Sequence, residues 1–297
     1  MKKYLFLSLL LVGVLLGCSK NSDEEQETRS QINKIENLQN PGESGNAFLA
    51  NTNYDKIIIE IAYVTGFKPS DGALEDFVTF IKQHSFKEDI RMVYKELSSP
   101  NKEELSLQEI NDIEQENRTL YNQDKTLTFY IYFTDAPSNE DNKEEDLVTL
   151  GSVYRNTSMV IYEKTIRDLA DQSNRIIPEF IESPTLNHEF GHLLGLVDLG
   201  FESDIANPLK TNMVNDHQNP LAPNHCTTEG CLMQAQLQVN FNKKGTKNGN
   251  KNEIVAGCSL QAVTVLNMLQ NKNNGSAKTA VDLGPECILD LKANGGR

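Results

Sequence analysis

The stretch LNHEFGHLLGLVDLG, Leu186 to Gly200, holds the pattern H-E-x-x-H, then Gly195, then Asp198. On a helix, residues four apart share a face, so His188 and His192 present both imidazoles to one point. Neutral imidazole nitrogens suit zinc. Glu189 follows the first of them and is placed to take a proton from a water that such a metal acidifies. Leu186, Phe190, Leu193, Leu194 and Val197 form an apolar face of the same helix. Ser183-Pro184 reads as its start, a cap followed by proline in the first turn. Catalytic zinc takes three protein ligands and this stretch supplies two histidines, so a third must be found.

The extension H-E-x-x-H-x-x-G resembles the metzincin clan of zinc metallopeptidases. That resemblance implies that Gly195 ends the helix in a left-handed turn, and that the third ligand stands three residues later, at Asp198. Further on, NHCTTEGCLMQ, Asn224 to Gln234, reads H-C-x4-C-x-M. This resembles the archaemetzincin segment that joins the third histidine to the methionine beneath the metal. It implies His225 as third ligand and Met233 as that methionine, with residues 196–224 inserted, as leishmanolysin-like metzincins insert chain at this point. A neutral ligand leaves more charge on zinc to acidify water, which favours His225 and makes Asp198 the alternative, otherwise a helix-exit or ligand-orienting residue. His217 is a weaker candidate whose plain reading is a solvated loop residue; for Met233 the plain reading is core packing. The chain departs from archaemetzincins in having no downstream C-x-x-C.

Outward from this segment the pattern alternates. Lys56 to Val64 is β-branched and apolar and reads as a buried strand. Asp71 to Gln83 has helical spacing, and Ile90 to Leu97 is a second strand. Ser106 with Glu109 matches a capping box. Leu127 to Phe133 is the strongest strand, and Ser152 to Tyr162 a fourth, followed by a short helix over 166–171. Alternation of this kind predicts an α/β (α+β) fold, a mostly parallel sheet with helices packed on it. The metzincin resemblance adds a twisted sheet with an antiparallel edge strand that binds substrate in extended form, for which Ser152 to Tyr162 is the candidate. Past Gly195 the chain is loop-rich, with the polar run 240–253 and a last helix over Leu260–Gln270 capped by Ser259. The folded domain is expected over 54–297, with an upper part to about 195 and a lower part over 196–297.

The first seventeen residues carry Lys2 and Lys3 ahead of an apolar run too short to span a bilayer. They end in LLGC, which resembles the lipobox of bacterial lipoproteins and implies cleavage before Cys18 and acylation of that cysteine. Residues 18–53 are polar and read as a tether. Within them Ser22-Asp-Glu-Glu25 resembles a surface-export signal of some Gram-negative lipoproteins; a solvated charge run is the plainer reading. The lipobox resemblance gives the expectation of a bacterial outer-membrane lipoprotein, exposed at the cell surface if the acidic run is an export signal, and held by lipid and not by a basic patch. The formal charge of −14 becomes −16 without Lys2 and Lys3, which argues against nucleic acid as a partner.

Cys226, Cys231, Cys258 and Cys287 remain, an even number in an exported chain, and suggest two disulfides. Proximity in sequence favours Cys226–Cys231 and Cys258–Cys287. A second metal on four cysteines is the rival, against which stands the lack of any C-x-x-C. The expectation is thus a lipid-anchored zinc endopeptidase with a protein or peptide substrate and one catalytic Zn2+. The alternative is a lipoprotein of the same fold that captures peptide or glycan without cutting, and an intact Glu189 argues against it.

Overall fold

The computed structural model describes residues 33–142, 148–171, 176–197, 217–234, the backbone of 258–261, and 282–297. The elements run α1 (Gly45–Leu49), β1 (Lys56–Val64), α2 (Asp71–His84), β2 (Asp89–Leu97), α3 (Leu107–Asn117) and β3 (Thr126–Phe133). There follow β4 (Thr149–Arg155), β5 (Ser158–Ile161), α4 (Glu163–Asp171), α5 (Pro178–Leu193), β6 (Cys258–Gln261) and α6 (Pro285–Ala293). The sheet order is β2-β1-β3-β5-β4-β6. β1, β2, β3 and β5 are mutually parallel where they pair, and β4 is antiparallel to both its neighbours. This is the mixed α/β architecture that the alternation of strands and helices predicts.

β1 and β3 are buried on both faces because helices cover both sides of the sheet. On one face Ile57, Ile59 and Ile61 join Phe77 of α2 and Phe190 of α5. On the other, Ala62 and Val64 join Ile110 of α3 with Tyr130, Tyr132 and Tyr162. Phe190 makes edge-to-face contacts with Phe48 and Phe77, at centroid distances of 5.1 and 5.3 Å. This aromatic cluster pins the helix that carries H-E-x-x-H to the sheet. The capping box forms as expected: Ser106 Oγ accepts from the Glu109 N–H, and Glu109 accepts from the Ser106 N–H at 3.0 Å.

Five expectations change. Ser152 to Tyr162 is not one strand but two, β4 and β5, turned about Asn156-Thr157. The intended edge strand is also covered, since β6 pairs along β4 from Val153–Cys258 to Thr149–Gln261. β6 thus takes Leu260 and Gln261, where the helix over Leu260–Gln270 was expected to begin; the remainder of that expected helix, and the polar run 240–253, lie outside the described residues. A short β segment with apolar neighbours cannot be told from the start of a helix by periodicity alone.

The tether is shorter than expected. Residues 33–53 belong to the folded body, with Phe48 and Leu49 fully buried. Asn37 is equally buried and donates to Asn122 Oδ1 at 3.0 Å and to the Thr128 carbonyl at 3.1 Å. Low apolar content misleads here because the segment attaches through satisfied amide hydrogen bonds and only two large apolar side chains. Finally, α5 begins at Pro178, and Pro184 lies inside it. Both prolines fit a first-turn position; burial of Ile181 and Glu182 carries the helix through the second. Among the described residues no helix is long and apolar enough to cross a membrane.

Candidate metal centre

His188 and His192 lie on the last turns of α5 and are fully buried. The helix then ends as Gly195 adopts φ +88°. The Leu196 N–H donates to the Gly191 carbonyl at 3.0 Å, and the Gly195 N–H to the His192 carbonyl at 3.0 Å. These two bonds form a Schellman ending, which requires the left-handed conformation that glycine adopts without strain. The turn also brings the Leu196 carbonyl back over the ring of His192, whose Nδ1–H donates to it at 2.8 Å.

The Nδ1–H of His188 donates to the Leu232 carbonyl at 2.7 Å, and that of His225 to the Pro223 carbonyl at 3.0 Å. A carbonyl only accepts, so each ring carries its proton on Nδ1 and directs an Nε2 lone pair elsewhere. Those lone pairs converge: the ligand atoms of His188, His192 and His225 all lie within 4.8 Å of one another. Nε2 of His188 and His192 are 3.1 Å apart. Burial, reinforced by the neighbouring His225, pushes His188 down to about 3, and burial holds His192 well below its ordinary value. Burial likewise lowers His225. Three neutral imidazoles with facing lone pairs repel unless a cation lies among them. This donor set fits a zinc ion, which favours neutral imidazole nitrogen and is completed in catalytic sites by an open fourth position.

The structure therefore brings together the two helix histidines and His225, over a long return of the chain. Asp198, the alternative ligand, lies outside the described residues. His217 is not with this group; it stands in a second cluster with Cys226, buried and not solvated.

Glu189 is fully buried and rests against β4. A Cβ added at Gly151 would fall 2.7 Å from Glu189 Cγ and 3.1 Å from its Oε1, so only glycine leaves room for this carboxylate. Met233 is fully buried beneath α5. A Cβ added at Gly191 would fall 2.3 Å from Met233 Sδ. Neither glycine was singled out from sequence. Gly191 did carry a signal, because glycine inside a helix costs about 1 kcal/mol relative to alanine and so suggests close approach by a neighbour.

A scan of protein-family models, a search of curated proteins and a search of solved structures each found no match to the chain.

The disulfide expectation is not met. Cys226, Cys231 and Cys287 are free thiols, all buried. Cys231 and Cys287 Sγ are 3.6 Å apart, far beyond the S–S bond of about 2.0 Å. Proximity in sequence misleads because α6 carries Cys287 to the turn that holds Cys231 and Cys226. Cys18 and the side chain of Cys258 lie outside the described residues. α6 itself was not anticipated, although Pro285 in its first turn and Lys292 in its last are ordinary helix signals.

Proposed function

We propose that the chain is a zinc-dependent endopeptidase of metzincin type, lipid-anchored through Cys18 at the bacterial outer membrane. The observation that carries this is the convergence of the His188, His192 and His225 Nε2 atoms beside the buried Glu189. Bound there, zinc would polarise a scissile carbonyl and lower the pKa of an attacking water.

The remaining chemistry belongs to the chain. Glu189 takes the proton from the attacking water and returns it to the leaving amine. The carbonyls of Leu232, Leu196 and Pro223 fix the three rings in one tautomer, so each presents its Nε2 without rotation. Gly151 sets the height of the Glu189 carboxylate above β4, and Met233 supports the floor of the site.

The test is metal analysis combined with a peptide-library digest. Wild type should hold zinc in the three-histidine site and cut peptides; Glu189→Gln should keep the metal and lose hydrolysis. Undiminished hydrolysis by Glu189→Gln, or full zinc content in the His188→Ala, His192→Ala double variant, would overturn the reading. Zinc retained by wild type without any cleavage would favour a binding protein of the same fold. Cys18→Ser should move the protein out of the membrane fraction; if it remains there, the anchor lies elsewhere.

A further inference from the structure

The strand against which Glu189 rests has both of its edges taken. A Cβ added at Gly151 of β4 would fall 3.1 Å from Glu189 Oε1, so this strand passes directly behind the candidate base. β5 pairs with one edge of β4 and sets Ile161 opposite Gly151. β6 pairs with the other and sets Leu260 opposite Gly151, Ser259 opposite Ser152 and Cys258 opposite Val153. The main-chain groups that a sheet edge offers to an extended peptide are thus held, level with Glu189, by the chain's own residues 258–261.

Three features mark β6 as a replaceable occupant. It has four residues, against nine in β1 and eight in β3. It ends the sheet, so among the described residues no strand supports its far side. Its ladder with β4 is interrupted by a register shift between Thr149 and Gly151. Short outer strands with few partners open at the low end of a protein's free-energy scale. The surroundings also survive its departure. The chain between Gln234 and Asp282 carries β6, and its ends are tied together where the Leu232 N–H donates to the Asp282 carbonyl at 2.9 Å. β4 keeps its pairing with β5, and the turn bearing His225 and Met233 keeps its own bonds.

We propose, resting on the peptidase reading above, that the outer edge of β4 is a docking edge for extended peptide, and that β6 is an intramolecular occupant which must leave before a peptide docks. Strand addition is read through main-chain N–H and C=O groups, so the ligand class is an extended peptide segment with little sequence restriction at this edge. A tethered segment competes at an effective concentration on the order of millimolar. The apparent affinity for peptide is then the intrinsic one reduced by the fraction of chains in which β6 is away. Release is by competition and is reversible, with no covalent step.

The experiment uses the full-length chain in detergent, with Glu189→Gln so that no probe is consumed. The probe is a fluorescent synthetic peptide of residues 254–264 with Cys258→Ser, read by anisotropy. Adjacent residues of a strand aim their N–H groups at opposite edges, so Ser259→Pro with Leu260→Pro removes whichever of the two donates to β4. This opened variant should bind the probe at least about 10-fold tighter than the chain with β6 intact, the correction for an edge free in about a tenth of chains. Its β4 amides should also exchange faster with deuterium. Val153→Cys sets a thiol opposite Cys258. Cα atoms across an antiparallel pair lie about 4.5–5.5 Å apart, within disulfide range. Oxidised, this variant should bind no probe, and reductant should restore binding. Equal affinity in the opened, intact and locked chains overturns the proposal. So does an opened variant that binds no probe, or a folded Val153→Cys chain in which oxidant forms no 153–258 disulfide. If the proline variant does not fold, the two redox forms of Val153→Cys decide: loss of binding on oxidation supports the proposal and equal binding overturns it. With Glu189 restored, cleavage of library peptides should follow the same order. Binding in that order without cleavage by any form keeps β6 as the occupant and removes only the peptidase reading.

Discussion

Replacing Gly191 with alanine tests the floor of the three-histidine site. An ideal Cβ there falls 2.3 Å from Met233 Sδ and 3.0 Å from its Cε. Ordinary contact lies at about 3.5–4.0 Å, so the sulfur must yield by roughly 1.2–1.7 Å. It has little freedom to do so. Met233 is fully buried, and its carbonyl is held by the Cys226 N–H at 2.7 Å. Overpacking of this kind costs about 1–3 kcal/mol. The gain from removing a helix-interior glycine is about 1 kcal/mol. The clash therefore wins, by up to about 2 kcal/mol. The displacement also reaches the candidate ligand His188, whose Nδ1–H donates to the Leu232 carbonyl next to Met233. Urea unfolding of the wild type, Gly191→Ala, Met233→Ala and the double variant closes a cycle. The double variant should be more stable than the sum of the single losses, since the truncated residue makes room for the new methyl. Zinc affinity should fall in Gly191→Ala and recover in part in the double variant. A Gly191→Ala protein about 1 kcal/mol more stable than wild type, with unchanged zinc affinity, would refute the reasoning, because propensity alone would then have acted.

Gly151→Ala should leave zinc content intact and lower kcat by about 100-fold with little change in KM, since it displaces the base and not a ligand; unchanged kcat in steady-state assays would show that the carboxylate is not set by β4. His225→Ala should lose most zinc affinity and Asp198→Asn should lose much less, measured by competition with a chelator; the reverse order would make Asp198 the third ligand. Burial, then the neighbouring Glu182, pushes the Glu163 carboxyl up to about 9 despite the Arg167 guanidinium at 2.6 Å. Its folded pKa thus exceeds the unfolded one, so the stability it contributes is fully present below about pH 4 and is lost as pH rises towards 9. Thermal midpoints should fall from pH 5 to pH 9 more steeply in wild type than in Glu163→Gln, and parallel slopes would sink that assignment.

Several elements were legible because their signals are local. β1 and β3 announce themselves by continuous β-branched and aromatic residues, since both faces are buried. α3 announces itself by its capping box, which depends on residues three apart. The pair His188 and His192, with Glu189 between, follows from helical pitch alone. The turn at Gly195 was implied by the resemblance of the extended motif, and the observed φ of +88° is one that glycine adopts without strain. His225 was reachable only through a second short motif, and the choice between it and Asp198 could not be made from spacing.

What tertiary structure alone decided concerns where distant chain returns. The second antiparallel partner of β4, besides β5, is a segment from beyond residue 257, and no periodicity in β4 foretells it. Pro178 and Pro184 offer equal local grounds for a helix start; burial of Ile181 and Glu182 selects the first. Gly151 and Gly191 are needed because Glu189 and Met233 press against them, contacts made across elements. Cys287 and Asp290 meet Cys231 and His217 because α6 packs there, so sequence proximity pairs the cysteines wrongly. Hydrophobic period and capping record what a residue does for its own element. Ligand convergence is set by packing free energy summed over the whole chain, and no single segment carries it.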